Sequence, residues 1–238
     1  MLYLIGLGLN EKSLSKEAIE IIKRCKKVYL EDYTVDFPYT HQALIDEIGK
    51  KFVTADREKV ESLEIVDEAK KMDVALLVYG SPLTATTHIT LIEEAILSGI
   101  KYRIINNASV LDGIAETGLQ VYKFGKITSL PEWKKSYEPD SFMEIVKENQ
   151  SIKAHTLLLV DIGLDIKKAI EQLEKAAKKH NFKLFKLIIC QALGTKKQKI
   201  IYKDLEKIKE FTNVQKPYCI IIPGELHFME KKMLEGFS

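Results

Sequence analysis

The chain has 238 residues, 46% of them hydrophobic and 29% charged, a composition that excludes disordered, collagen-like and disulfide-stapled miniature proteins. Its charge is nearly balanced, 36 basic residues against 34 acidic ones. Only Arg24, Arg57 and Arg103 among the basic residues are arginines, which argues against a dedicated nucleic-acid binder.

Residues 2–5 form a short apolar run ended by Gly6 and Gly8, and residues 14–25 carry Leu14, Ala18, Ile21, Ile22 and Cys25 at helical spacing, predicting a strand, a tight turn and a helix. A second strand is expected at 28–30, followed by a loop at 32–40 rich in Asp, Tyr, Thr and Pro. The pattern then predicts one helix over 58–71 and a buried strand over 74–78, stopped by Gly80-Ser81-Pro82. Thr86 or Thr87 is the expected cap of a helix running through Leu97, with Gly99 as its stop. A strand at 102–105 leads to Asn106-Asn107-Ala108-Ser109, whose side-chain oxygens suit the cap of a helix over 110–116. This is the expected hinge, giving an amino-terminal α/β domain over 1–107 and a carboxyl-terminal one over 108–238. Beyond it the pattern predicts a helix near 142–148, a strand at 156–160 and a helix at 166–180. Strands near 184–190, 199–202 and 219–222 and a last helix at 226–234 complete the chain.

Alternation of helices with fully apolar strands points to an α/β fold class with mostly parallel sheets. Ligands of such sheets gather where strands end, which singles out four loops: 6–10, 80–87, 106–109 and 161–163. The first lacks the third glycine of a dinucleotide fingerprint, because Glu11 occupies it, and the same residue defeats a phosphate loop ahead of Lys12-Ser13. A plain strand-to-helix turn competes with any ligand role there. The stretch from Gly80 to His88 joins a permissive glycine, a rigid proline and four hydroxyl residues, able either to face a polar ligand or to make a capped turn. His88 has no partner at metal spacing and reads as a surface or capping histidine. His227, after Pro223-Gly224, suits a cap or a ligand contact. Trp133 and Tyr137, in a basic stretch over 126–137, suit docking or packing equally.

No Gly-x-Ser-x-Gly elbow surrounds a serine, no cysteine lies beside a histidine, and carboxylates such as Glu31, Asp56, Asp112 and Asp161 are scattered without pairing, giving covalent hydrolase chemistry no support. Cys25, Cys190 and Cys219 are far apart and signal neither a disulfide framework nor a metal site, which fits a cytoplasmic setting. No run reaches the roughly 18 apolar residues of a membrane-spanning helix.

Several strings taken together resemble the diphthine synthases, S-adenosylmethionine-dependent methyltransferases of diphthamide biosynthesis in the tetrapyrrole-methylase-like class. They are Met1 to Leu9, Tyr33-Thr34, Asp56-Arg57-Glu58, Pro82 with Ala85-Thr86-Thr87-His88, Asn107-Ala108-Ser109, Gly118-Leu119 with Tyr122-Lys123-Phe124-Gly125, His155-Thr156-Leu157-Leu158 with Asp161-Ile162, and Pro223-Gly224 with Leu226-His227. The resemblance spans nearly the whole chain. It implies two α/β domains with S-adenosyl-L-methionine in the cleft between them, a homodimer, and methylation of the 3-carboxyamino-propyl histidine of translation elongation factor 2. It places cofactor contacts at Leu9, Ser81, Thr84, Ser109, Val110, Val160, Leu193 and Tyr218, and leaves a dedicated base unassigned. Ser81 stands where the family usually has aspartate, and Gln191-Ala192-Leu193-Gly194 matches the family's Ala-Arg-Ala-Gly only loosely. A related methylase of a tetrapyrrole or precorrin, and an inactive cofactor-binding module, are the alternative readings.

Overall fold

A computed structural model of the chain describes residues 1–211 and 213–238. The chain divides into two compact units, Met1–Gly113 and Ile114–Ser238; the boundary drawn at 107 from the sequence falls inside the first.

In the first unit β1 (Leu2–Gly6) is buried throughout and leads to α1 (Lys16–Arg24). The helix starts where Ser15 accepts a hydrogen bond from the Ala18 N–H at 3.0 Å. Glu17 in its first turn and Lys23 and Arg24 in its last complement the helix dipole. There follow β2 (Lys27–Glu31), α2 (His41–Ile48), β3 (Val53–Ala55), α3 (Arg57–Glu61), α4 (Glu64–Ala69), β4 (Val74–Val78), α5 (Ile89–Leu97), β5 (Tyr102–Ile105) and the single turn α6 (Val110–Gly113). The strands form one parallel sheet in the order β3-β2-β4-β1-β5. Alternate residues of each strand face opposite sides. Tyr3, Ile5, Leu30 and Leu77 pack under Ile21, Ile22, Leu44 and Ile48 of α1 and α2. Leu4, Tyr29, Leu76 and Val78 pack under Val60, Ile65 and Leu91 of α3, α4 and α5. The chain therefore leaves β1 toward one edge and β4 toward the other, making the gap between these neighbours the topological switch point.

The second unit contains β6 (Thr128–Leu130), α7 (Phe142–Ser151), β7 (Thr156–Val160), α8 (Ile166–Lys179), β8 (Lys186–Gln191), β9 (Lys199–Asp204), α9 (Leu205–Ile208), β10 (Tyr218–Ile222) and α10 (Phe228–Glu235). Its sheet runs β6-β7-β10-β8-β9. Met143 and Val146 of α7 and Ile170 and Leu173 of α8 share a core with Leu158, Ile189 and Ile220.

The α/β class and the predominance of parallel pairing hold for the molecule, but unevenly. In the second sheet only β6 and β7 run parallel, while β10 is antiparallel to β7 and β8, and β9 to β8. Apolar runs report burial on both faces, not direction, so the sequence carried no sign of this. The helix expected over 58–71 is two helices, broken at Leu63, whose φ is +62°. The helix expected over 110–116 is α6 followed by a 3₁₀ turn over Ile114–Thr117.

Candidate functional site

Three loops leave the carboxyl ends of β1, β4 and β5 beside the switch point, where open α/β sheets bind ligands. They are stitched to one another by backbone. Gly8 and Gly80 exchange two N–H to carbonyl hydrogen bonds, each 3.0 Å long, with φ values of +72° and +71°. Such φ values suit glycine. Asn107 closes the third side: its amide donates to the carbonyls of Gly6 (3.2 Å) and Ser13 (2.9 Å), and its oxygen accepts from the Ala108 N–H at 2.8 Å. The Tyr79 hydroxyl donates to the Leu9 carbonyl at 3.1 Å, fixing the far end of the first loop.

The structure brings Leu9, Ser81, Thr84, Ser109 and Val110 onto these loops and their exits. Leu9 is buried, Ser81, Thr84 and Val110 are half-buried, and Ser109 is 5% exposed. Ser109 caps α6: its hydroxyl accepts from the Leu111 N–H at 3.2 Å, and the Asp112 carboxylate accepts from the Ser109 N–H at 2.7 Å. A Cβ on Gly80 would meet nothing nearer than 3.6 Å, the Ser109 Cα. Bare backbone, two half-exposed hydroxyls and a capped helix start make a set suited to a polar ligand rich in hydroxyl and carboxylate groups.

The cap expected at Thr86 or Thr87 is not formed. The residue before α5 is His88, whose side chain makes no cap bond, while the Thr86 hydroxyl donates to the Pro82 carbonyl at 3.2 Å. His88 is not at the surface either; it is buried, with Nδ1 3.1 Å from the Pro82 carbonyl oxygen and Nε2 without a partner. Burial holds its pKa below the usual 6.5. The Thr86 hydroxyl serves the turn around Ala85, whose φ is +55°, and accepts from the His88 N–H at 3.4 Å, one residue short of the helix.

In the second unit Val160 ends β7, Leu193 follows β8 and Tyr218 starts β10. Because β10 runs antiparallel to both, with Cys219 opposite Leu159 and Cys190, these three residues share one end of that sheet. The Tyr218 hydroxyl is already committed to the Leu164 carbonyl at 3.1 Å.

At the opposite end of that sheet lies a network that sequence reasoning missed. The fully buried Glu230 accepts from Lys123 Nζ (2.6 Å), the Gln120 N–H (2.9 Å) and the His227 N–H (2.7 Å). The Gly224 N–H donates to His155 Nδ1 at 2.9 Å, so the His155 proton sits on Nε2 and is donated to Glu230 at 3.1 Å. Burial alone would raise the Glu230 pKa, but these donors hold it down at about 2. His227 caps α10, accepting from the Met229 N–H at 3.4 Å. A carboxylate three residues after a cap is a readable signal, and both Ser109 with Asp112 and His227 with Glu230 carry it. Trp133 packs on the core and donates to the Pro139 carbonyl at 2.9 Å, whereas Tyr137 is exposed.

The chain matches the profile of Tetrapyrrole (Corrin/Porphyrin) Methylases over residues 1–209. It is 35% identical to a diphthine synthase of Methanococcus aeolicus, covering 99% of this chain and 97% of the relative. It is 34% identical to a diphthine methyl ester synthase of Mus musculus, covering 100% and 96%. A crystal structure of diphthine synthase superposes with a TM-score of 0.88 at 30% identity, covering 100% of this chain and 96% of that one. Similarity of this extent in sequence and fold places the chain in the tetrapyrrole methylase family, and within it among the methyltransferases called diphthine synthases.

Proposed function

We propose that the protein transfers methyl groups from S-adenosyl-L-methionine to the 3-carboxyamino-propyl histidine of translation elongation factor 2. The observation that carries this reading is the knot of glycine loops held by Asn107 at the switch point, in a chain similar along its whole length to diphthine synthases. Leu9, Ser81, Thr84, Ser109 and Val110 in the first unit, and Val160, Leu193 and Tyr218 in the second, are the residues assigned to hold the cofactor. The group's sulfonium supplies an already activated methyl when bound, so the protein's task is to orient donor and acceptor. Ser81 donates a hydroxyl where an aspartate would accept, and backbone groups of the 80–84 loop supply the remaining polarity.

The test incubates the full chain with labelled S-adenosyl-L-methionine and elongation factor 2 bearing the unmethylated side chain. The expected result is a gain in intact mass of the factor in steps of about 14 Da per methyl; no gain overturns the substrate assignment. Ser81→Trp is expected to abolish cofactor binding in calorimetry while leaving the circular dichroism spectrum unchanged. Undiminished affinity would remove Ser81 from the site.

The protein is also proposed to be a cytoplasmic homodimer. No helix among the described residues is long and apolar enough to cross a membrane. Phe228, Met229 and Met233 of α10 and Tyr122 of the 3₁₀ turn Val121–Lys123 are exposed apolar side chains, of the kind that subunits cover. Phe228→Asp is expected to shift the sedimenting mass from twice 27.2 kDa to the single-chain value; an unchanged dimer places the interface elsewhere.

A further inference from the structure

Among the described residues, four buried side-chain polar atoms have no hydrogen-bond partner: Glu31 Oε1, the hydroxyls of Tyr33 and Tyr39, and His88 Nε2. All four belong to the first unit: Glu31 ends β2, Tyr33 and Tyr39 follow it, and His88 comes after β4. Unsatisfied polar groups are uncommon inside proteins, and their concentration at one end of one sheet calls for a ligand or a catalytic role.

Glu31 is the most demanding of them. It is the last residue of β2, fully buried, and alternation from Tyr29 puts it on the face covered by α3, α4 and α5. Tyr33 packs on that same face, with the Arg57 guanidinium 5.1 Å from its ring centre. One Glu31 oxygen accepts from the Thr34 hydroxyl at 2.7 Å, the backbone N–H groups of Tyr33 and Thr34 also favour the carboxylate, and Oε1 has no partner at hydrogen-bond geometry. An empty lone pair on a buried carboxyl is a poor way to stabilise a fold, because a leucine would avoid the desolvation.

We propose that Glu31 receives the amino group of the acceptor side chain, taking its extra proton before methyl transfer, with the Tyr33 hydroxyl beside it. This rests on the proposed function and names the group that recognises the acceptor. An ammonium carries three donors, enough to satisfy the orphaned oxygen and to replace the Thr34 hydroxyl that now covers the carboxyl. The half-buried Thr34 is thus the contact that yields on entry. The proton passes from the ammonium to the carboxylate, leaving a neutral amine whose lone pair forms the new N–C bond as the sulfonium C–S bond breaks. Burial pushes the Glu31 carboxyl up to about 7, bringing its proton affinity closer to that of an amine than an exposed carboxylate's would be. The charged neighbours on this side are Asp32, next in sequence, and Arg57 and Glu61 of α3, which face Tyr33.

The test compares wild type with Glu31→Gln, which keeps an acceptor for Thr34 and removes only the titrating group. Cofactor affinity is expected to be unchanged. Methyl transfer to the modified factor is expected to fall at least a hundredfold, and the wild-type decline of rate below about pH 7 to be lost. Transfer by Glu31→Gln within threefold of wild type, or the same pH profile in both, overturns this inference alone. Absence of transfer by the wild type overturns the proposed function, and this inference with it. If Glu31→Gln does not fold, Tyr33→Phe decides: an unchanged KM for the factor overturns the subsite, and a raised KM with unaltered cofactor affinity supports it.

Discussion

Glu230→Ala is expected to lower the stability of the protein by about 3–5 kcal/mol, the range for breaking a buried ion pair by removing one partner. The substitution leaves Lys123 Nζ, His155 Nε2 and the N–H groups of Gln120 and His227 facing a void. It also removes the only bond drawn from His155 Nε2. Urea denaturation at pH 7 measures the loss, and a change below 1 kcal/mol would show that the donors find other partners. The pH dependence has a defined sign. Glu230 is depressed from 4.5 to about 2, so its contribution is fully present above pH 4.5 and disappears as pH falls toward 2. His155, held below its usual 6.5 by burial, works in the same direction, because the unfolded chain gains its proton first as pH falls through 6.5. Between pH 7 and 4.5 the raised Glu31 carboxyl opposes His155, because the folded chain takes up that proton first. The diagnostic window is therefore 4.5 to 2, where wild type should weaken and the slope should be shallower in Glu230→Ala.

Gly6→Val is expected to abolish cofactor binding, by a hundredfold or more, and to destabilise the chain by about 3 kcal/mol, as overpacking against backbone does. A Cβ at residue 6 would stand 2.7 Å from the Gly80 carbonyl oxygen and 3.0 Å from both Asn107 Cβ and Pro82 Cδ. No flexible side-chain tip stands there to yield. The three loops that carry Leu9, Ser81 and Ser109 would have to part, breaking the Gly8 to Gly80 exchange and the bonds of Asn107 to Gly6 and Ser13. Calorimetry with S-adenosyl-L-methionine and a thermal melt separate the two effects. Normal binding in a destabilised Gly6→Val would show that the knot supports the fold without shaping the ligand site.

The parts of the fold legible in the sequence were those with continuous apolar runs. The strands β1, β4, β7 and β10 are such runs, and each loop after a strand declared itself by Gly, Pro, Asn or Asp. Short elements with few buried residues escaped. The helix α2 buries only Leu44 and Ile48, β3 exposes Val53, and α9 spans one turn. The break between α3 and α4 escaped because Val60, Leu63, Val66 and Ala69 recur every three residues across it, as on one face of a helix.

All four candidate loops were legible for the same reason, because backbone that must turn sharply at a strand end uses residue types that stand out, and three of them meet at the switch point of the first sheet. Glu31 was not legible: a carboxylate before Asp32 reads as the start of a solvated loop, and only the burial imposed by α3, α4 and α5 distinguishes it. Nor was the environment of Glu230, since Lys123 and His155 reach it from 107 and 75 residues away.

The way each sheet ends bears on how these molecules behave when crowded. The outermost strands of the first sheet, β3 and β5, have three and four residues, and β6 in the second has three, too short to template pairing with another molecule. The remaining border, β9, is six residues long and carries Lys199 and Lys203. There the Phe237 carbonyl accepts the Tyr202 N–H at 2.9 Å, so the chain's own last residues occupy an outward donor. Short length, lysine charge and a carboxyl-terminal stopper are three separate obstacles to edge-to-edge aggregation, and trimming the final residues would remove the one that guards the longest border.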